Sequence, residues 1–279
     1  SGTLWPNTAY AKQAEYAVEL ARPFTARLGQ LLYLSLGGAD SGWRGVSAAH
    51  WLLLPGVVLG GWRALRADWA ARRLRHSVLL LWAGGHVLLY AWRLPVTYQH
   101  GRYVLAAVPA WVLLGLAGWL VLLALGGNGR AARLARQVAV GSYGVLLGLF
   151  VLLGAGAYQT DVAFIEGEMV AVAHWLNENT PRDALIAAHD IGAIGYFTER
   201  PLLDLAGLVS PEIIPLLADE AALAAYILQS QAAYLVTAPG WPYAAVTGRA
   251  DVDEVFVAAH VWTREQGRNN TAVYRLPDR

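Results

Sequence analysis

The sequence predicts a membrane protein in which about four transmembrane helices are followed by a small extracytoplasmic α/β domain. Four apolar stretches lie at 46–62, 77–95, 103–125 and 138–158, and each is close to the ~20 residues that a helix needs to cross the hydrocarbon core. After residue 158 the pattern changes to short apolar runs bounded by Gly, Pro, Asp or Asn. A content of 56% hydrophobic and 15% charged residues also favours a membrane protein.

The arginines predict the orientation. The loop 63–76 contains five arginines and one acid, Asp68, and the loop 126–137 contains three arginines and no acid. Short loops rich in Lys and Arg stay in the cytoplasm. We therefore expect an integral plasma (inner) membrane protein whose N-terminus, outer connection 96–102 and C-terminal domain are extracytoplasmic.

The chain divides into an extracytoplasmic or interfacial amphipathic segment at 1–45, a four-helix transmembrane region at 46–158 and an extracytoplasmic α/β domain at 159–279. The spacing of apolar residues predicts an amphipathic helix over 12–26, which Pro23 kinks or ends. Residues 28–36 are apolar but too few to span, so they are expected to lie in the interface or to re-enter the membrane.

Small and ionisable residues within the spans predict helix contacts. Gly56 and Gly60 are four residues apart, as are Gly144 and Gly148, and this spacing lets helix backbones approach closely in lipid. The glycines can serve contacts among the four helices or contacts with a separate subunit or missing half. His50 and His86 are interpreted as neutral side chains that hydrogen-bond to a neighbouring helix, with a cavity-facing role as the alternative.

In the C-terminal domain, Thr160 or Asp161 is predicted to cap a helix that ends near 177–181. Candidate strands lie at 184–188, 202–205, 234–237, 255–259 and 272–276, and candidate helices at 211–217 and 219–231. Strands that alternate with helices predict an α/β domain with an at least partly parallel sheet.

Familiar catalytic and cofactor motifs are absent, and the chain contains no cysteine. We therefore expect no cofactor, no metal site and no nucleic-acid partner. A polar cluster at His189 and Asp190 follows a predicted strand, where α/β domains place ligand groups, and Asp204 ends the next strand. These residues are a possible external-domain site; alternatively the two acids cap turns and His189 satisfies backbone groups.

The outer connection places hydrogen-bonding groups and a cation at the end of a span, in the order Tyr98, Gln99, His100, Gly101, Arg102, Tyr103. Arg102 can be an interfacial anchor whose side chain extends toward the headgroups. It can equally bind a lipid phosphate, which suits the planar guanidinium fork. The sequence leaves both interpretations open.

Several of these segments resemble one family. The stretch His100–Tyr103, followed by an apolar span with Pro109, resembles a late-helix motif of bacterial GT-C-class membrane glycosyltransferases, the relatives of protein mannosyltransferases and aminoarabinose transferases (glycosyltransferase family 39-like). The opening 4–12 and the tail segments 175–181, 189–192 and 204–208 resemble other parts of the same group.

The resemblance implies the C-terminal half of an enzyme that transfers a sugar from a polyprenyl-phosphate donor on the extracytoplasmic side. Arg102, His100, Tyr103 and Lys12 would then bind the lipid phosphate, and the expected partners are membrane lipid, the lipid-linked sugar and further transmembrane helices. Family members carry a catalytic carboxylate in their first external loop, which has no counterpart here, so the catalytic residue stays unassigned. The alternative is a non-catalytic scaffold subunit of a larger membrane complex, derived from such an enzyme.

Overall fold

The computed structural model describes residues 6–36, 52–125, 127, 129–265 and 267–277. The chain divides into two compact units. The helical unit is 16–156, and the sheet unit combines 1–15 with 157–279.

The helices up to the sheet are α1 (Asn7–Glu15), α2 (Ala17–Leu20), α3 (Phe24–Ser35), α4 (Leu54–Ala71), α5 (Val78–Arg93), α6 (Tyr98–Gly101), a 3₁₀ turn (Arg102–Ala107), α7 (Val108–Leu125) and α8 (Arg130–Ile165). The amphipathic helix predicted over 12–26 is not continuous, because α1 ends at Glu15 and the separate helix α2 follows Tyr16. The predicted interruption at Pro23 is confirmed, since α3 begins directly after it. Pro23 has φ −53° and ψ 137°, an extended conformation that interrupts helical hydrogen bonding.

The core of the helical unit lies where α3, α5 and α7 meet. Leu31, Val87, Ala107 and Trp111 are among its buried residues. The indole N–H of Trp111 donates to Ser35 Oγ at 3.2 Å, so the polar edge of this buried ring is satisfied. The apolar segment 28–36, for which an interfacial or re-entrant position was expected, therefore forms part of α3 and contributes to this core.

Glycines join α4 to α7. A Cβ on Gly56 would collide with the carbonyl oxygen of Gly115, and one on Gly118 would collide with the carbonyl oxygen of Gly56. The predicted glycine contact at Gly56 and Gly60 is therefore made within the chain. The second predicted pair differs, because no described residue lies within 4 Å of a Cβ built on Gly144.

Two stretches of the described residues are long and apolar enough to cross a membrane, by length and composition. They are the 24 residues Arg102–Leu125 and an apolar window within the 50-residue helical run Arg130–Asn179. The apolar helix α5 is shorter, at 16 residues. His86 on α5 lies with Nε2 2.8 Å from the carbonyl oxygen of Tyr103, as the helix-contact interpretation predicts. His50 lies outside the described residues.

The helix α4 continues nine residues beyond the predicted span end at Trp62. It ends in a Schellman arrangement, in which Arg73 N–H donates to the carbonyl of Asp68 and Arg72 adopts φ 50°.

The Asp68 carboxylate is only 4% exposed. It accepts hydrogen bonds from the backbone N–H groups of His76 and Ser77 at 2.8–3.0 Å and from the Ser77 hydroxyl at 2.5 Å. Burial opposes the ionisation of Asp68, but these hydrogen bonds outweigh it, so that its pKa lies below the usual range.

The predicted helix start at Thr160 or Asp161 was wrong. Helix α8 runs without a break from Arg130 to Ile165, continues through a π turn at Glu166–Val170, and passes into α9 (Ala171–Asn179). Within a continuous helix the backbone N–H groups already have intrahelical acceptors, so a capping side chain has no free donor to bind.

The sheet unit contains five strands: β1 (Ile186–Ala188), β2 (Leu202–Asp204), β3 (Tyr234–Thr237), β4 (Asp253–Val257) and β5 (Ala272–Arg275). Their order is β2-β1-β3-β5-β4; β1 is parallel to β2 and β3, and β5 is antiparallel to β3 and β4. The prediction of an α/β domain with a partly parallel sheet is therefore confirmed.

Helices cover both faces of this sheet. Connecting elements are α10 (Gly192–Thr198), a 3₁₀ turn (Pro211–Leu216), α11 (Glu220–Gln229), α12 (Ala244–Thr247) and α13 (Val261–Glu265). On one face Ala187 and Leu235 lie in the cluster that contains Ile227 of α11. On the other face Ile186 and Val236 lie in the cluster that contains Leu176 of α9. Alternate residues of each strand thus point into two cores, as the pleat requires.

The glycine contact predicts a large difference between two similar substitutions. Gly118→Ala should destabilise the helical unit by about 1–3 kcal/mol, because its Cβ would meet the α4 backbone, which cannot rotate away. Gly144→Ala adds the same methyl group to a helix at an open position and should be neutral or slightly stabilising. Thermal unfolding of both variants in the same detergent measures the difference, and equal midpoints would contradict the α4–α7 contact.

Candidate functional site

Arg102 lies at the junction of α6 and the following 3₁₀ turn. Gly101 has φ 66°, a left-handed conformation that lets the chain turn between the two elements. The Arg102 Nη2 group donates to the hydroxyl oxygens of Tyr98 and Tyr103, both at 3.0 Å. Its Cζ lies 5.3 Å and 4.9 Å from the centres of the same two rings. Two aromatic rings therefore fix one cation by cation–π contact and by hydrogen bonds.

An aromatic cluster surrounds this pair of tyrosines. Tyr16 stacks on Tyr98 with ring centres 5.4 Å apart, and Tyr90 lies 5.6 Å from Tyr103. His86 precedes Tyr90 by one helical turn, with 4.8 Å between the ring centres. Since a carbonyl can only accept, His86 carries a proton on Nε2 and donates it to Tyr103 O. The cluster thereby connects the position of Arg102 to the helix α5.

The guanidinium of Arg102 is exposed and keeps hydrogen-bonding capacity. Among the described residues no carboxylate pairs with it, and its Nε and Nη1 groups donate to none of them. The Nε and Nη1 groups of this fixed, exposed guanidinium can donate to the oxygens of an anion, such as a phosphate or a carboxylate.

The structure joins two of the four predicted phosphate-binding residues, Arg102 and Tyr103. The side chain of His100 lies outside the described part of the structure. Lys12 belongs to the sheet unit, where its Nζ pairs with Glu15 Oε2 at 2.6 Å. Tyr98, which was predicted only as part of the segment, makes the same two contacts to Arg102 as Tyr103 does.

A second polar cluster lies in the sheet unit, at the carboxyl end of β1. His189 Nδ1 is 2.8 Å from the hydroxyl of Tyr243, and the edge of the His189 ring contacts Trp241 at 4.7 Å between centres. On the opposite side of the ring, Nε2 is 3.9 Å from Glu15 Oε1. The sequence predicted that His189 lies at a strand end, but it did not indicate these three partners. Trp241 and Tyr243 are at least 52 positions away from His189, and Glu15 belongs to α1.

The topology explains why these groups meet. From β1 the chain crosses to β2 on one side and then to β3 on the other, so the strand order reverses between β1 and β3. Ligands of open α/β sheets bind at the carboxyl ends of strands at such a reversal. Burial, together with the negative charges of Glu15 and Asp204, raises the pKa of Tyr243, so its phenol stays protonated and can donate to His189. The cluster is a polar site with one buried donor, and nothing in it identifies a reaction.

The two predicted acids have different positions. Asp204 is fully buried, and its oxygens accept from the backbone N–H groups of Ala206 at 2.9 Å and Val209 at 2.7 Å. It therefore shapes the turn after β2, as the alternative interpretation holds. Asp190 is exposed beside the His189 cluster. No group of three or more His, Asp or Glu residues that could hold a metal ion occurs in the described part of the chain.

Glu168, in the π turn, carries a buried carboxylate that was not predicted from the sequence. Its Oε1 accepts from Thr263 Oγ1 at 2.7 Å and from Asn270 Nδ2 at 2.6 Å, and its Oε2 accepts from Thr271 N–H at 2.7 Å. A Cβ on the neighbouring Gly167 would collide with the ring of His260. The π turn and the glycine together bring the helix close enough for Glu168 to bind the segment before β5.

Arg200 is a second buried charge that the sequence did not indicate, and it is 6% exposed. Its guanidinium donates to Asn177 Oδ1 at 2.6 Å and to the carbonyl oxygens of Thr180 at 2.7 Å and Thr198 at 2.8 Å. Carbonyl groups at the end of α9 have no N–H donor within the helix, and the guanidinium of Arg200 provides donors for them. Its role is to close the helix end.

Comparison with known proteins defines a domain but no activity. Residues 157–274 match a protein family described as a domain of unknown function (DUF8728). The match covers the sheet from β1 almost to the end of β5, together with the helices that pack on it. The chain matches no curated protein. The fold thus comprises a helical unit and a mixed α/β unit, and the family match lies in the second of them.

Glu168 allows a matched test of the buried carboxylate. Glu168→Gln should destabilise the sheet unit by about 1–3 kcal/mol. Both oxygens of Glu168 accept hydrogen bonds, and the NH₂ group that replaces one of them cannot accept. Glu166→Gln changes the same charge in the same turn at an exposed position and should have an effect within about 0.5 kcal/mol. Denaturant unfolding followed by tryptophan fluorescence measures both, and equal stability of the two variants would contradict the role of Glu168.

Proposed function

We propose that this chain is the C-terminal portion of a membrane glycosyltransferase that takes its sugar from a polyprenyl-phosphate donor at the extracytoplasmic face. The observation that carries the proposal is Arg102, an exposed guanidinium fixed by Tyr98 and Tyr103 with no carboxylate partner among the described residues. The resemblance of 100–103 and of the tail segments to GT-C enzymes supports the same assignment.

In this reaction a base deprotonates an acceptor hydroxyl, the hydroxyl oxygen attacks the anomeric carbon, and the bond to the lipid phosphate breaks. The leaving phosphate takes up negative charge, and a cation placed beside it stabilises that charge in the transition state. Arg102 would supply that cation. The base would come from the half of the enzyme that precedes this segment, and the sheet unit would help to select the acceptor.

The membrane arrangement belongs to the same proposal. Four helices would span, with the arginine-rich loops 63–76 and 126–137 in the cytoplasm and the sheet unit outside. Support comes from the eight arginines of those two loops and from the two stretches that are long and apolar enough to cross. In this arrangement the outer connection with Arg102 faces the side on which lipid-linked sugars are used.

Arg102 substitutions test the phosphate site. Arg102→Ala should weaken binding of polyprenyl phosphate at least about tenfold, since a charged hydrogen bond contributes ~1.5–3 kcal/mol. Arg102→Lys should also weaken it, because an ammonium keeps the charge but loses the bidentate fork. Fluorescence titration of the purified chain with a short polyprenyl phosphate measures the dissociation constants.

The matched control is Arg22→Ala, which removes an exposed arginine already paired with Glu19 at 2.8 Å, and should leave the affinity unchanged. Tyr103→Phe keeps the ring and removes one hydroxyl, so an intermediate loss is expected. If wild type, Lys and Ala variants bind equally, Arg102 is an interfacial anchor and the enzyme assignment loses its structural support.

Limited proteolysis tests the orientation. Trypsin added to sealed, right-side-out vesicles should cleave the sheet unit, where Arg182 lies in an exposed turn, and should spare Arg72 and Arg73. Permeabilised vesicles provide the control, since both regions should then be cut. Cleavage at Arg72 in sealed vesicles would contradict the proposed topology.

The alternative function is a non-catalytic scaffold subunit, and one observation favours it. On α8 the glycines Gly141, Gly144 and Gly148 have no atom of the described part of the chain within 4 Å of an added Cβ, so further helices could pack on their face. A scaffold would bind no polyprenyl phosphate in the titration above, and it would purify in fixed stoichiometry with an unrelated membrane complex.

A further inference from the structure

One face of α4 combines an apolar half with a cationic aromatic half. Trp62, Arg66 and Trp69 follow one another at spacings of four and three, which places them on one side of the helix. Trp62 is 52% exposed and Trp69 is 88% exposed. The Arg66 guanidinium lies 5.1 Å from the centre of a Trp62 ring. The buried residues Gly61, Ala64 and Asp68 lie on the other side of the helix.

The same face continues toward the start of α4 as an apolar surface. An open cavity of about 650 Å³ is lined by Leu54, Pro55, Val58, Leu59 and Trp62. Pro55, Val58 and Leu59 precede Trp62 by seven, four and three residues, so they share its side of the helix. Trp62 therefore separates an apolar groove from the arginine.

No acid of the segment 63–76 is left to neutralise its arginines. Arg63, Arg66, Arg72, Arg73 and Arg75 are all exposed. Asp68 is the one acid in this segment, and its carboxylate is buried against His76 and Ser77, whose donors occupy both oxygens. The surface thus has strong positive charge directly beside an apolar groove.

We propose that this face of α4 is a binding site for an anionic phospholipid, with acyl chain against Pro55, Val58 and Leu59 and headgroup phosphate at Arg66. The proposal rests on the part of the proposed function that places this end of α4 at the cytoplasmic membrane surface, and it is independent of any sugar chemistry.

The chemistry of the face selects this ligand. Tryptophan rings are favoured at the level of the headgroups, and the guanidinium fork matches two oxygens of a phosphate. The uncompensated arginines favour a lipid with net negative charge over a zwitterionic one. A nucleic acid would satisfy the arginines but has no part that would fill the apolar groove.

The test compares two lipids that share their acyl chains. The purified, delipidated full chain in detergent is titrated with dioleoyl phosphatidylglycerol or dioleoyl phosphatidylcholine, and bound lipid is counted by native mass spectrometry. Wild type should bind phosphatidylglycerol more tightly. Arg66→Gln should weaken that binding about fivefold, which corresponds to ~1 kcal/mol for a basic residue at an anionic surface.

Three variants make the result specific. Arg75→Gln removes the same charge from the same basic segment but from beyond the end of α4, and should change the affinity less than twofold. Val58→Asn, at a position that is 65% exposed, should weaken both lipids alike, because it makes the groove polar. Arg102→Ala should leave phosphatidylglycerol binding unchanged, which separates this site from the proposed polyprenyl-phosphate site.

Several results would overturn the proposal. Equal losses in Arg75→Gln and Arg66→Gln would show diffuse attraction to the whole basic segment. Equal affinity of wild type for the two lipids would remove the charge selection. Displacement of the lipid by the same concentration of water-soluble glycerol phosphate would show an anion site without a lipid-chain groove.

Discussion

Every deeply buried charge described in this chain is satisfied mainly by neutral groups, and the architecture depends on this constraint. An unpaired charge in an apolar interior is costly, so its partners must lie within hydrogen-bond distance whatever their separation in sequence. Glu168 obtains a hydroxyl, an amide and a backbone N–H from residues 95–103 positions away. Arg200 and Asp204 likewise bind carbonyl oxygens and backbone N–H groups. Each of these contacts fixes one junction: helix to sheet at Glu168, helix end at Arg200, and the turn after β2 at Asp204.

The same constraint separates structural charges from candidate functional ones. Asp68 lies in the most basic segment of the chain, yet His76 and Ser77 occupy its carboxylate, so it closes the α4–α5 loop. Arg102 and Arg66 differ because they are exposed and are held against aromatic rings that neutralise no charge. A cation fixed in this way remains available to an anion. Both candidate phosphate sites of the chain therefore have the same construction, a guanidinium positioned over a ring.

The sequence predicted those parts of the fold that depend on local pattern. Short apolar runs bounded by turn residues located all five strands, with β3 at its observed bounds. The runs are apolar throughout because alternate residues of each strand enter two separate cores. Helix boundaries were predicted less well where a continuous helix contains residues that are also good caps, as at Thr160 and Asp161. The site was predicted only in part. His189 and Arg102 were found from their positions at element ends, whereas Tyr243 and Glu15 approach His189 only through the strand reversal between β1 and β3.

Glycine has two opposite roles along the helices, and the sequence does not distinguish them. Gly56 and Gly118 let the α4 and α7 backbones approach until no Cβ would fit. Gly144 and Gly148 are four residues apart, as Gly56 and Gly60 are, yet no described residue lies within 4 Å of a Cβ built on either of them. Spacing indicates that a helix can approach another closely, and only the fold shows whether the second helix is present. Gly56 and Gly118 thus allow the close contact between α4 and α7 in the helical unit. The open glycines of α8 are consistent with the proposed arrangement in which this segment packs against helices from the preceding half of an enzyme or from a partner subunit.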